Sequence, residues 1–213
     1  DVDEEQALAV LEEALDQGIN FFDTADVYGD GTSEKRISKV LDETDERVYV
    51  ATKFGRRLEP HKAEKYNKDN LERHLDRSLE NLGVDMIDLV QLHCPPTDVY
   101  YKPEVFEAME EFVEKGKIQY YGVSVEKVEE GLKAIEYPNL TSVQIIFNIF
   151  RQRPSELFFN RCREENVAVI PRVPLASGLL TGKYGKDASF PENDHRNFNR
   201  DGEECRSRWS PYH

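Results

Sequence analysis

Cysteine is scarce in this chain. Cys94, Cys162 and Cys205 stand far apart and no Cys-x-x-Cys occurs, which excludes a disulfide framework and a cysteine zinc site and points to a reducing compartment, the cytoplasm. Long apolar runs are missing too. No stretch of about 18 apolar residues offers a membrane span, so no membrane partner is expected. The first ten residues, DVDEEQALAV, lack a basic stretch and an apolar stretch, so they do not read as a signal peptide. Basic charge is in deficit: 42 acidic residues against 28 Lys and Arg give a formal charge of −14. That balance opposes binding to a phosphate backbone and excludes nucleic acid as an expected partner. It reads most simply as a soluble, self-repelling surface; adaptation to high salt is the sharper alternative. GxGxxG and GxxxxGK[ST] are both absent, and Gly29–Asp30–Gly31 reads as a turn. No metal ligand set is spaced for binding; His195 and His213 match no Cys, and His61 and His74 read as surface residues.

What is present is a regular alternation. The 213 residues suit one domain with one good-sized core. Helical patterns are expected over 3–17, over a segment with Ile37, Val40 and Leu41 inward and Ser33 as its cap, and over 68–82, 103–115, 127–135 and 155–165. Strands are expected over 19–25, 48–54, 86–93, 118–125, 141–148 and 167–173. Strands separated by helices argue for βαβ units and a parallel sheet. The expected domain covers 1–185; residues 186–213 are polar and aperiodic and read as an irregular loop or tail.

Three strands end alike. INFFDTADVY, VYVATKFG and IDLVQLHCP are apolar runs that stop at Asp23 and Tyr28, at Lys53, and at His93. Parallel strands in a β/α chain deliver their carboxyl ends to one face, where such residues can meet. Each alone has a plainer reading: Asp23 as a turn residue, Tyr28 as a packed loop aromatic, Lys53 as a structural strand-end charge, His93 as a core histidine. Together they suit protonation of a carbonyl oxygen while hydride arrives at carbon from a cofactor. In that scheme Lys53 lowers the Tyr28 pKa, Asp23 holds Lys53, and His93 orients the substrate oxygen.

The order FDTADVYG, ATKFG, LHCP, GVSV, VQIIFN and VIPRVPLASGLLTGKY resembles the aldo-keto reductases, from about Asp3 to Lys183. Glu34, after Ser33, matches the same pattern. The resemblance implies a (β/α)8 barrel of TIM type that reduces aldehydes and ketones with NADPH, sometimes NADH. It implies Tyr28 as general acid, tuned by Lys53 and Asp23, with His93 positioning the carbonyl. It implies Ser124 and Gln144 as partners of the nicotinamide carboxamide. It places Arg172, Pro174, Leu175, Ala176, Ser177 and Lys183 along the ribose and pyrophosphate. Gly178 and Gly182 suit such a loop by admitting close backbone approach.

Three departures accompany the resemblance. Val125 stands where an Asn often follows the nicotinamide serine, and Arg172 stands where an aromatic often stacks; a planar guanidinium can also stack. Only strands two to seven of eight are recognisable, so the chain is expected to be a truncated form or fragment. Ser124 also reads as a helix cap, Gln144 as a barrel hydrogen-bonding residue, Lys183 as a solvated charge and Cys94 as a small apolar neighbour. The alternatives to a reductase of small carbonyl substrates are two. One is a non-catalytic nucleotide-binding regulatory protein of the same fold, as the potassium-channel β-subunits are; the other is an inactive truncated fragment.

Overall fold

A computed structural model of the chain describes residues 3–185, 188–190, 194 and 196. The expectation of a loop or tail over 186–213 therefore falls largely outside the described residues. Among the described residues six α-helices and six strands alternate: α1 (Glu4–Asp16), β1 (Phe21–Asp23), α2 (Thr32–Glu43), β2 (Tyr49–Phe54), α3 (Lys68–Leu82), β3 (Ile87–His93), α4 (Pro103–Glu114), β4 (Ile118–Ser124), α5 (Val128–Ala134), β5 (Ser142–Ile146), α6 (Phe158–Glu164) and β6 (Ala168–Arg172). The six strands form one sheet in chain order, and every neighbouring pair is parallel.

Local chemistry sets the elements. In α3 the Asn67 side chain accepts from the Asn70 amide at 3.0 Å, satisfying one free donor of the first turn. Leu71, Leu75 and Leu82 are buried along one stripe, and Gly83, at φ 67°, ends the helix in a conformation that a side chain resists. Pro103 opens α4, where its missing N–H costs nothing.

The sheet is not flat. The Gln144 side-chain amide donates to Asp23 Oδ1 at 3.1 Å. Those residues lie on β5 and β1, four strand spacings apart, which in a flat sheet is roughly 19 Å. The contact requires the sheet to curl into a half-barrel. Its outer face carries Phe22, Val50, Phe54, Val90, Leu92, Tyr121, Val123, Val143 and Ile145, all buried in the main apolar core. The concave face carries the alternate residues, among them Asp23, Lys53, Gln91, His93, Ser124 and Gln144.

Three expectations need correction. The first strand is three residues, not 19–25, and Ile19 is exposed. Ser33 does not cap α2. Gly31 holds that position at φ 90°, and the Ser33 hydroxyl accepts from Thr24 Oγ1 at 2.8 Å. The helix expected over 155–165 is two pieces, a short 3-10 turn at Arg153–Ser155 and α6, because Leu157 (φ −132°, ψ −43°) leaves the helical conformation.

Candidate active site

Lys53 closes the inner row of β2 and is only 1% exposed. A buried ammonium requires partners, and it has two: Nζ donates to Asp23 Oδ2 at 2.7 Å and to the Thr24 carbonyl oxygen at 2.7 Å. Asp23, at the end of β1, uses its second oxygen to accept from Gln144. Gln144 Oε1 in turn accepts from Ser124 Oγ at 3.2 Å, and the Cys94 thiol lies 3.6 Å from the same hydroxyl. One polar chain thus joins β2, β1, β5 and β4 across the concave face.

Tyr28 enters from the turn after β1. Left-handed conformations at Gly29 (φ 57°) and Asp30 (φ 54°) redirect the chain there. Its ring lies 5.4 Å from Lys53 Nζ, centroid to atom, and meets the His93 ring edge-on, with centroids 5.8 Å apart at 87°. Asp23, Tyr28, Lys53 and His93 are therefore brought together, as are Ser124 and Gln144 beside them.

The electrostatics depart from expectation at Tyr28. Its phenol pKa is raised, first by burial and then by the Asp23 carboxylate, against the pull of Arg172 and Arg56. The expected lowering by Lys53 is not found, because that ammonium is already matched by Asp23. Burial lowers the Lys53 pKa, with Asp23 opposing. Burial, followed by the charge of Arg56, pushes His93 down to about 2. The imidazole is neutral near pH 7, and its Nδ1 has no hydrogen-bond partner among the described residues. At neutral pH the site holds a protonated phenol, a paired ammonium and a neutral imidazole.

Arg172, at the end of β6, reaches the same group: its charge acts on Tyr28, Lys53 and His93, and Nη2 donates to the Val125 carbonyl oxygen at 3.1 Å. Pro174, Leu175, Ala176, Ser177 and Lys183 follow on the loop after β6, at the same end of the sheet. Asn148 ties that loop down by donating to the Val173 carbonyl oxygen at 3.0 Å. Val173, Ala176, Ser177 and Gly178 all have positive φ there, so the loop is tightly folded upon itself. Pro174, Leu175, Ser177 and Lys183 are exposed, and the Lys183 ammonium rests 5.8 Å from the Tyr184 ring centroid.

Some residues escaped the sequence reading. Gln91 stands in register with Lys53, is fully buried, and neither end of its amide has a hydrogen-bond partner among the described residues. Its signal was available: it alternates with His93 on one strand, so both face inward. His74 is not a surface residue. Its side chain is 12% exposed and its Nδ1 lies 3.3 Å from Asp26 Oδ2.

The chain is similar to known proteins. The family model described as "Aldo/keto reductase family" matches residues 1–211. Among curated proteins, the aldo-keto reductase yakc [NADP(+)] of Schizosaccharomyces pombe is 34% identical over 201 residues, which is 91% of this chain and 59% of that protein. The aldo-keto reductase YhdN of Bacillus subtilis is 31% identical over 198 residues, covering 92% and 60%. This chain thus spans about three-fifths of the length of the curated relatives it matches. Among solved structures, the holo form of the aldo-keto reductase AKR11C1 from Bacillus halodurans superposes with a TM-score of 0.76 at 33% identity, covering 91% of this chain and 64% of that one. An aldo/keto reductase from Klebsiella pneumoniae in complex with NADP and acetate gives a TM-score of 0.72 at 25% identity, covering 92% and 66%. The family model over nearly the whole chain and these likenesses show that the chain belongs to the aldo/keto reductase family.

Proposed function

We propose that this chain forms strands two to seven of a (β/α)8 barrel, over a domain of residues 1–185, and reduces aldehydes or ketones to alcohols with NADPH, Tyr28 serving as general acid. The observation that carries this reading is the joint arrangement of Tyr28, Lys53, Asp23 and His93 at one end of the curled sheet. The name of the fission-yeast relative, which includes NADP(+), and the NADP bound to the Klebsiella neighbour support the cofactor. The buried free thiols Cys94 and Cys162 support a reducing compartment, the cytoplasm.

The residues present fit that cofactor. Ser124 and Gln144 offer a hydroxyl and an amide, the two chemistries that pair with a carboxamide. Arg172 brings positive charge to a protein that is otherwise acidic, and its Nε is buried without a hydrogen-bond partner among the described residues. Gly178 and the left-handed backbone around it suit close approach of a phosphate. Pro174, Leu175, Ala176, Ser177 and Lys183 would line the same side. When bound, NADPH supplies the hydride.

The protein's own groups then handle the proton and the oxygen. Tyr28 holds its proton at neutral pH and gives it to the carbonyl oxygen as that oxygen becomes an alkoxide. Lys53, held by Asp23 and the Thr24 carbonyl, offsets the Asp23 charge beside the phenol, and the charges of Arg172 and Arg56 favour the phenolate left behind. His93, neutral, donates a ring N–H to the substrate oxygen and sets its direction. Asp23 accepts from both Lys53 and Gln144, so it ties the acid–base group to the Ser124 side of the site.

The test is a fluorescence titration of this chain with NADPH and NADH, followed by a panel of small aldehydes and ketones. Saturable NADPH binding and alcohol formed in step with NADPH oxidation are expected. Binding of neither nucleotide, or binding with no turnover on any carbonyl, would overturn the reading.

A further inference from the structure

The turn that carries Tyr28 is held from behind by one row of α3. His74, Arg77, Ser78 and Asn81 recur at helical spacing beside the leucine stripe. Asn81 donates to Glu34 at 2.8 Å. Arg77 donates to the Asp30 carbonyl oxygen at 2.8 Å and to that of Asp26 at 3.4 Å. His74 Nδ1 stands 3.3 Å from Asp26 Oδ2.

Asp26 is the unusual member. It is 0% exposed, and neither carboxylate oxygen accepts a hydrogen bond among the described residues. A buried carboxylate persists only where a charge or donor faces it. From α3 that group is His74. On the loop after β2 the Tyr66 hydroxyl pairs with His61 Nε2 at 2.9 Å; burial is the main opponent of its ionisation, and the Asp26 charge adds to it. Asp26 is also joined to the reacting group through its backbone. Its amide donates to the Lys53 carbonyl oxygen at 2.9 Å, and two residues later the Tyr28 amide donates to Ala25 at 3.0 Å.

Building on the function proposed above, we propose that Asp26 and His74 are a positioning pair, an imidazole–carboxylate contact between α3 and the turn that sets Tyr28 over Lys53. Asp26 is buried against His74 of α3 and is bonded to Lys53 through its backbone amide, so the pair acts through the backbone of the turn.

The test is amide hydrogen exchange at residues 25–31 of this chain, read beside steady-state kinetics. His74→Leu strips the carboxylate of its partner and speeds exchange at the Asp26 and Tyr28 amides about tenfold or more, with α3 exchange unchanged. His74→Gln, which keeps a donor, restores protection to within about threefold of wild type. The double variant His74→Leu with Asp26→Asn exchanges no faster than His74→Leu alone, since the two share one contact. In the kinetics, His74→Leu lowers kcat and leaves NADPH affinity unchanged. Unchanged exchange in His74→Leu, or equal loss in His74→Leu and His74→Gln, overturns the proposal. Should His74→Leu not fold, Asp26→Asn decides instead: faster exchange at the same amides supports the pair and unchanged exchange rejects it. A wild-type chain that reduces no carbonyl would sink the proposed function while the exchange data still decide the pair.

Discussion

The two faces of the sheet are built from the same six strands and have opposite chemistry. Lys53 and Phe54, Leu92 and His93, Val123 and Ser124 are neighbours in the chain and point to opposite sides. The convex side is mostly apolar, packed under α1 to α6, and supplies the burial that holds the fold; its buried polar residues Thr52 and Asp88 are partnered, by Glu34 and by the Val50 amide. The concave side ends in an ammonium, an imidazole, a carboxylate and an amide, and on it His93 Nδ1 and both ends of the Gln91 amide lack a hydrogen-bond partner among the described residues. Each such atom costs stability. The comparison teaches that at the ends of β2, β3 and β4 this molecule separates stability from chemistry by a single step along the strand, so there a substitution's consequence follows from its parity.

The largest expected effect is on the concave side. Lys53→Met removes the charge beside the phenol and should lower kcat by about 10²–10⁴-fold, while far-UV circular dichroism stays the same. On the convex side Leu92→Ala should cost about 2–5 kcal/mol in urea unfolding. Gln91→Leu, one residue earlier and facing inward, should be neutral or slightly stabilising, since it replaces a buried amide without a partner among the described residues by a side chain of similar size. If Leu92→Ala and Gln91→Leu destabilised equally, the separation of faces would fail.

A smaller effect is set by pH. Burial holds the folded-state pKa of His93 down near 2, below its ordinary value of about 6.5. Between those values the unfolded chain binds the proton and the folded chain does not. Stability is therefore fully present above the unfolded value and is lost as pH falls below about 6.5, at up to about 1.4 kcal/mol per pH unit from this group. His61, also lowered by burial, acts in the same direction. Thermal unfolding between pH 7 and 5 should show the loss, and His93→Gln should flatten it. The smallest effect lies outside both faces. Arg161 makes exposed pairs with Glu164 and Glu165, and Arg161→Ala should change stability by less than about 0.5 kcal/mol.

Much of this was legible in the sequence because it depends on period. Apolar stripes marked α3 and α4, and apolar runs ending in a titratable residue marked β2 and β3 together with the site. What was not legible depends on environment. The lowering expected at Tyr28 took account of Lys53 alone, whereas burial and Asp23 set the phenol in the folded chain. His74 looked like a helix-surface residue because its partner, Asp26, lies 48 positions away in the sequence and meets it only once the turn packs on α3. The helix over 155–165 was misjudged because one residue, Leu157, leaves the helical region without a Gly or Pro to announce it.

The central claim is that this end of the concave face is a proton-donating site with Tyr28 as its acid. Turnover of NADPH with a small aldehyde, compared between wild type and Tyr28→Phe, tests it most directly. The account predicts that nucleotide binding survives in the variant while turnover falls by about 10²-fold or more; a variant that turns over as fast as wild type would contradict it.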